Sequence, residues 1–279
     1  TSPAATELEE VVLDWLRQML GLDPGMSGFI YDTASVSSMH AIAAAREGID
    51  VRIREEGMSG RRDLPLLRVY ASEQAHSSID KGIITLGLGQ RSLRKIPTDP
   101  EFRMDPNALA DAIDEDKRNG FLPFCVVATV GTTSTSSIDP VPAIVEVCEK
   151  HKLWLHVDAA MIGTAAICPE YRYIHGGMEF ADSYCFNPHK WMFTNFDCDC
   201  FYVGDRAILI NTLSVLPEYL RNQATESGAV IDYRDWQISL GRRFRSLKLW
   251  FVIRHYGVEG LRYHIRRHVE LAQKFARWV

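Results

Sequence analysis

The sequence predicts an α/β fold, with one mainly parallel sheet carrying helices on both faces. Two observations carry this. Residues 66–70, 124–130 and 153–157 are short, largely apolar runs, which suit strands buried on both sides. Between them stand longer segments with apolar residues at helical spacing, the alternation from which parallel sheets are built. No repeat, low-complexity stretch or linker interrupts residues 1–279, so a single domain is expected.

A first helix is expected over residues 6–20. Thr6 and Glu9 have capping-box spacing, and Leu8, Val11, Val12, Trp15, Leu16 and Met19 form one apolar stripe before Gly21 and Pro24. A second should begin after Ser35 and run through Met39, Ile42 and Ala45 to Gly48. Residues 66–70 read as strand and 76–85 as helix. Asp105-Pro106 is an N-cap followed by proline at the first helical position, opening a helix that ends near Gly120. The strand 124–130, a helix over 142–151 and the strand 153–157 follow, then short strands at 183–186 and 200–203. From Arg243 onward the pattern is two consecutive helices broken at Gly257.

The 279 residues are 46% hydrophobic and 24% charged, with a formal net charge of −5. That is globular composition, and no basic surface argues for nucleic acid. There is no apolar run of transmembrane length and no basic-then-apolar leader, so neither membrane insertion nor secretion is expected. Six irregularly spaced cysteines suit reduced thiols in a cytoplasm. Cys198 and Cys200 stand one residue apart, closer than structural zinc pairs, so no metal site with Cys185 or His189 is expected.

In open parallel sheets, ligands bind beyond the carboxyl ends of the strands. Three strands end in polar runs: Gly131-Thr132-Thr133-Ser134, Asp158-Ala159-Ala160, and Asn187-Pro188-His189-Lys190. Each is ordinary alone, because a lysine after a strand is usually solvated and an aspartate there often caps a helix. Together they offer what pyridoxal phosphate requires: a lysine for the aldehyde, an acid for the ring nitrogen and an anion cradle. Lys190 would be the lysine, its pKa lowered by desolvation and neighbouring positive charge. Asp158 would favour the pyridinium form. The cradle would be Asp32-Thr33-Ala34-Ser35, where backbone N–H groups at a helix start join the Ser35 hydroxyl. Asn187 and His189 would add donors; Ser35 as a plain N-cap is the alternative.

The runs TASVSSMHAIAAAR, EQAHSS, ATVGTTS, LHVDAA, SYCFNPHKW, YLRNQATESG and DYRDWQISLGRRFRSLKLW resemble the aromatic L-amino acid decarboxylase group of pyridoxal-phosphate enzymes, collinearly over the whole chain. The resemblance implies a fold type I enzyme with a seven-stranded-type sheet, acting as a homodimer on an aromatic amino acid. It implies that Lys190 holds the cofactor as a Schiff base and that Asp158 pairs with the ring nitrogen. Ala34, Ser35, Asn187 and His189 would surround the phosphate, Thr133 and Ala160 would lie beside the cofactor, and His76 would stack over the ring. The alternative for His76 is a histidine that caps or packs at a helix start.

The resemblance also implies the reaction: carbon dioxide leaves the substrate, and a proton then reaches Cα. Tyr219 is the candidate donor, on a polar stretch suited to a mobile loop; a surface tyrosine packed on Leu216 or Leu220 is the alternative. Related aldehyde synthases typically carry phenylalanine in place of that tyrosine, or asparagine in place of the histidine, so Tyr219 and His76 point to amine formation. The alternatives are an aldehyde synthase and a non-catalytic cofactor-binding chain. Two departures stand out. Met161-Ile162 replaces the usual Tyr-Ala, and family chains extend beyond both ends of this one. Residues 1–279 therefore read as the large cofactor-binding domain without the N-terminal dimerisation segment and the small C-terminal domain. The first helix, and the last with Phe275, Trp278 and Val279, are then expected to expose apolar surface.

Overall fold

The computed structural model describes residues 2–215 and 231–279. Its centre is a seven-stranded sheet in the order β1-β7-β6-β5-β4-β2-β3. The strands are β1 (Ser27–Tyr31), β2 (Leu66–Ser72), β3 (Leu93–Ile96), β4 (Phe121–Thr129), β5 (Trp154–Asp158), β6 (Ser183–Phe186) and β7 (Asp199–Val203). From β3 to β6 every pairing is parallel. β7 is antiparallel to both β6 and β1, so it alone runs against the others.

Alternate residues of each strand feed two apolar layers. Val126 and Ala128 enter one with Val157 and Tyr184, while Cys125 and Val127 enter the other with Phe124 and Val69. The first layer is covered by α1 (Pro3–Leu20), α5 (Pro106–Arg118), α6 (Val141–His151) and the long α9 (Arg245–Ala276). The second lies under α2 (Ala34–Glu47), α4 (Ser78–Thr85) and α8 (Arg206–Leu213). The short α3 (Ile53–Glu56) and α7 (Pro188–Trp191) complete the set used below. α2 approaches the sheet through small side chains: Ser37, Ser38, Ala41, Ala44 and Ala45 are all buried. No helix among the described residues is long and apolar enough to cross a membrane.

Several local expectations hold. Asp105 caps α5 by accepting from the Asn107 and Ala108 N–H groups, and Gly257 breaks α9 with φ 61° and ψ 172°. Others are corrected. Thr6 caps nothing, because α1 starts at Pro3 and Glu9 turns inward, accepting from the Ile30 N–H at 3.0 Å and pairing with Arg242 at 2.5 Å. A buried ion pair across the fold has displaced the local capping box. α1 does not expose its stripe as a whole: Val12 and Leu16 are buried, Leu8, Trp15 and Met19 are half-buried, and Val11 is exposed. The last helix does expose apolar residues, with Phe275, Trp278 and Val279 at 64%, 80% and 94% exposure.

Candidate cofactor site

β4, β5 and β6 are neighbours, so their carboxyl ends deliver the three polar runs to one edge of the sheet. Asp158 ends β5 and is buried. It accepts from the Ala160 N–H at 3.1 Å and makes a long contact with Cys185 Sγ at 3.9 Å. Among the described residues it has no ion-pair partner. Burial raises its pKa, opposed first by that Ala160 bond and then by the fields of Lys190 and His76. A buried carboxyl with spare acceptor capacity and two basic groups in its field fits a cationic ring nitrogen.

Behind Asp158 a hydrogen-bonded column fixes the strand. His156 lies between Ser38 Oγ (3.1 Å, on α2) and Ser183 Oγ (3.0 Å, on β6), and Trp154 Nε1 donates to the same Ser183 oxygen at 2.9 Å. Burial lowers the His156 pKa to about 3, so the ring is neutral.

The anion cradle differs in detail from expectation. α2 begins at Ala34 rather than after Ser35; Thr33 is its N-cap residue and makes no side-chain cap bond. Ser35 is therefore inside the first turn and exposed, so it is not an N-cap and its hydroxyl is free to meet a ligand. The Ala34 and Ser35 N–H groups, first and second in the helix, have no intrahelical acceptor. Asp32 tightens the approach by accepting from the Thr33 N–H at 2.7 Å. Asn187, which follows β6, is buried, and its Oδ1 has no partner among the described residues.

Lys190 sits on α7, its N–H bonded to Asn187 O at 2.9 Å, with an exposed side chain. The described residues therefore do not supply the desolvation expected around it. His189 accepts the Cys198 N–H at Nδ1 (2.9 Å) and lies 4.7 Å from the Phe196 ring. Burial first, and then Lys190, lower its pKa, so the neutral ring carries its proton on Nε2 as a donor. His76 is exposed, and its Nδ1 accepts from the Ser78 N–H at 3.1 Å. It thus anchors the start of α4, as the structural alternative expected, while lying within the electrostatic reach of Asp158.

Thr133 is exposed in the loop after β4, where Thr132, Thr135 and Ser137 bond one another instead. Gly131 makes this loop possible: at φ +92° its position has no room for a Cβ, which would meet Ile162 at 2.5 Å. Of the Met161-Ile162 departure, Ile162 packs over Gly131 while Met161 is 50% exposed. Ala160 is half-buried beside Asp158, its O accepting the Asn187 N–H at 2.8 Å. Tyr219 lies outside the described residues.

The pyridoxal-dependent decarboxylase conserved domain matches residues 1–279. The chain belongs to that family. It is 44% identical over 283 residues to tryptophan decarboxylase 2 of Oryza sativa subsp. japonica, covering 99% of this chain and 56% of that protein. It is 45% identical to the aromatic-L-amino-acid decarboxylase of Cavia porcellus, covering 98% and 58% respectively. Among solved structures, Oryza sativa TDC with PLP and tryptamine superposes with a TM-score of 0.92 at 43% identity, over 98% of this chain and 57% of that one. The chain thus spans a little over half the length of the curated relatives it matches. The fold type I expectation and the seven-stranded sheet agree with these family members.

Sequence reasoning missed Asp199, which lies on the same sheet face and bonds Ser37 of α2. The signal was available: a charged residue within the otherwise apolar run 198–203 is buried only for a reason.

Proposed function

We propose that this chain is the cofactor-binding domain of a pyridoxal-phosphate-dependent decarboxylase that converts an aromatic L-amino acid to the arylalkylamine and carbon dioxide. We further propose that it works as a cytoplasmic homodimer. The observation that carries the reading is Asp158, a buried carboxyl without an ion-pair partner among the described residues, with Lys190 and His76 in its field. Relatives named for aromatic amino-acid decarboxylation support it, each over half its own length.

Bound pyridoxal phosphate supplies an electron sink conjugated to the substrate amine. Asp158 would hold the positive charge on the ring nitrogen, its own ionisation favoured once that cation arrives. Ala34 and Ser35 would give two N–H donors and a hydroxyl to the phosphate, joined by Asn187 and the His189 Nε2–H. Lys190 would tether the cofactor through Nζ. His76, with Nδ1 committed to Ser78, has its Nε2 edge left to face the ring. Thr133 and Ala160 would border the cofactor, and Tyr219 would donate the proton to Cα.

The test is product analysis with tyrosine, tryptophan, phenylalanine and dihydroxyphenylalanine as substrates. Amine and carbon dioxide in equal amounts, both abolished by Lys190→Ala, are expected. Hydrogen peroxide and ammonia in step with carbon dioxide would make the protein an aldehyde synthase, the activity named for the Rhodiola rosea 4-hydroxyphenylacetaldehyde synthase that it matches at 38% identity. No carbon dioxide from any of them, with the cofactor bound, would leave the non-catalytic chain.

A further inference from the structure

One buried carboxyl beside the site has no part in the function above. Asp199 opens β7 with no exposed surface. The register sets it against Tyr31 on β1, and one step past the Phe186–Cys200 pair, toward Asn187. Ser37 of α2 meets it from above with a short hydrogen bond to Oδ2. The Ser37 N–H meanwhile bonds Thr33 O at 3.2 Å, closing the turn that presents the Ala34 and Ser35 N–H groups. Asp199 is therefore joined through one serine to the anion cradle.

The charges around it are one-sided. Asp32 and Asp158 face it as further carboxyls, with Tyr31 and Cys185 beside them. His40, 4.8 Å from the Tyr31 ring and with both nitrogens unpartnered among the described residues, is neutral. Lys190 is the cation in the group, and its side chain is exposed. Among the described residues Asp199 Oδ1 has no partner, and neither has Asn187 Oδ1. An ionised Asp199 would leave a bare oxygen in the protein interior and add a negative charge directly beneath the turn that must receive a phosphate.

We propose that Asp199 is a positioning residue for the cofactor phosphate: as a neutral acid it fixes the first turn of α2 through Ser37, and phosphate occupies that turn only while Asp199 stays neutral. The proposal rests on the cofactor reading above. It makes phosphate affinity fall as Asp199 ionises, with a slope of at most about tenfold per pH unit for a single linked proton. The second ionisation of the phosphate itself, at about pH 6, acts in the opposite sense and does not involve Asp199.

The experiment compares pyridoxal phosphate with pyridoxal, which keeps the aldehyde and lacks the phosphate. Dissociation constants are followed by the visible absorbance band over the whole pH range in which the protein stays folded, where one linked proton changes affinity by up to about tenfold per pH unit. In the wild type, the preference for pyridoxal phosphate over pyridoxal should fall with rising pH. In Asp199→Asn that fall should disappear while the preference at low pH is kept, and Ser37→Ala should lower the preference at every pH. A purely structural role would weaken both ligands equally and leave the slope alone. A profile shared by wild type and Asp199→Asn overturns the proposal. Circular dichroism establishes that each variant folds, and Asp199→Ser replaces Asp199→Asn if the amide is not tolerated. If neither aldehyde binds the wild type, the cofactor reading fails by itself. Calorimetry with inorganic phosphate then decides the positioning role: pH-dependent binding that flattens in Asp199→Asn upholds it, and absence of binding or an unchanged slope overturns it.

Discussion

Two pairs of buried carboxyls in this molecule differ in whether a cation meets them. Far from the cofactor edge, Asp116 of α5 pairs with Arg68 at 3.0 Å and Arg94 at 2.9 Å and accepts from the Tyr70 hydroxyl at 2.9 Å. Glu9 is matched by Arg242, whose guanidinium also lies 4.2 Å over the Phe29 ring. At the carboxyl ends of β5 and β6, Asp158 and Asp199 are equally buried, yet neither has an ion-pair partner among the described residues. The first pair joins elements distant in sequence. The second is left electrostatically incomplete, which is costly for folding and useful only if a ligand completes it.

The contrast can be broken by exchanging the readouts. At the incomplete site, Asp158→Asn should cut turnover by about 10²–10³-fold, the usual cost of removing one preorganised electrostatic partner. Thermal stability should stay level or rise, because a neutral amide replaces a buried carboxyl whose pKa burial has raised. A large loss of stability with little loss of rate would place Asp158 among the structural carboxyls. Asp116→Ala should do the reverse: strand Arg68, leave Arg94 with Glu115 alone, and cost about 3–5 kcal/mol in denaturant unfolding. The cofactor band of the folded fraction should be unchanged.

The same division decides what could be seen in the sequence. β4 and β5 were legible because strands in the middle of a parallel sheet are apolar on both sides. β1 and β3 were missed because they are the two edges of the sheet: Ser27-Gly28 and Arg94-Lys95 break the apolar run where only one neighbour has to be satisfied. That Lys190 and Asp158 reach one sheet edge was legible because each follows the end of an apolar strand, and β5 and β6 are neighbours. Glu9 was misread because its partner, Arg242, is 233 residues away, and no local pattern encodes that pairing. Asp199 shared this difficulty, its contact with Ser37 crossing 162 residues. The desolvation expected for Lys190 was an inference from chemistry, and the described residues leave that side chain exposed.

Histidines extend the comparison to smaller effects. Burial lowers the pKa of His156 to about 3 and those of His40 and His175 to about 4, from 6.5. Each folded pKa lies below its unfolded value, so the stability these neutral rings contribute is present above pH 6.5 and is lost as pH falls toward the folded values. Each histidine adds at most about 1.4 kcal/mol per pH unit to that slope. Denaturant unfolding followed from neutral pH downward measures it. His156 has partners on both nitrogens, so His156→Leu should reduce the slope and also cost stability at neutral pH by stranding the Ser38 and Ser183 hydroxyls. Among the described residues His40 has none on either. His40→Leu should therefore reduce the slope by one proton yet leave neutral-pH stability within about 1 kcal/mol, or raise it, because replacing an unsatisfied buried polar group by an apolar one is close to neutral. A neutral-pH loss as large as that of His156→Leu would mean that the His40 nitrogens are satisfied in solution, and would move this ring from the incomplete class to the completed one.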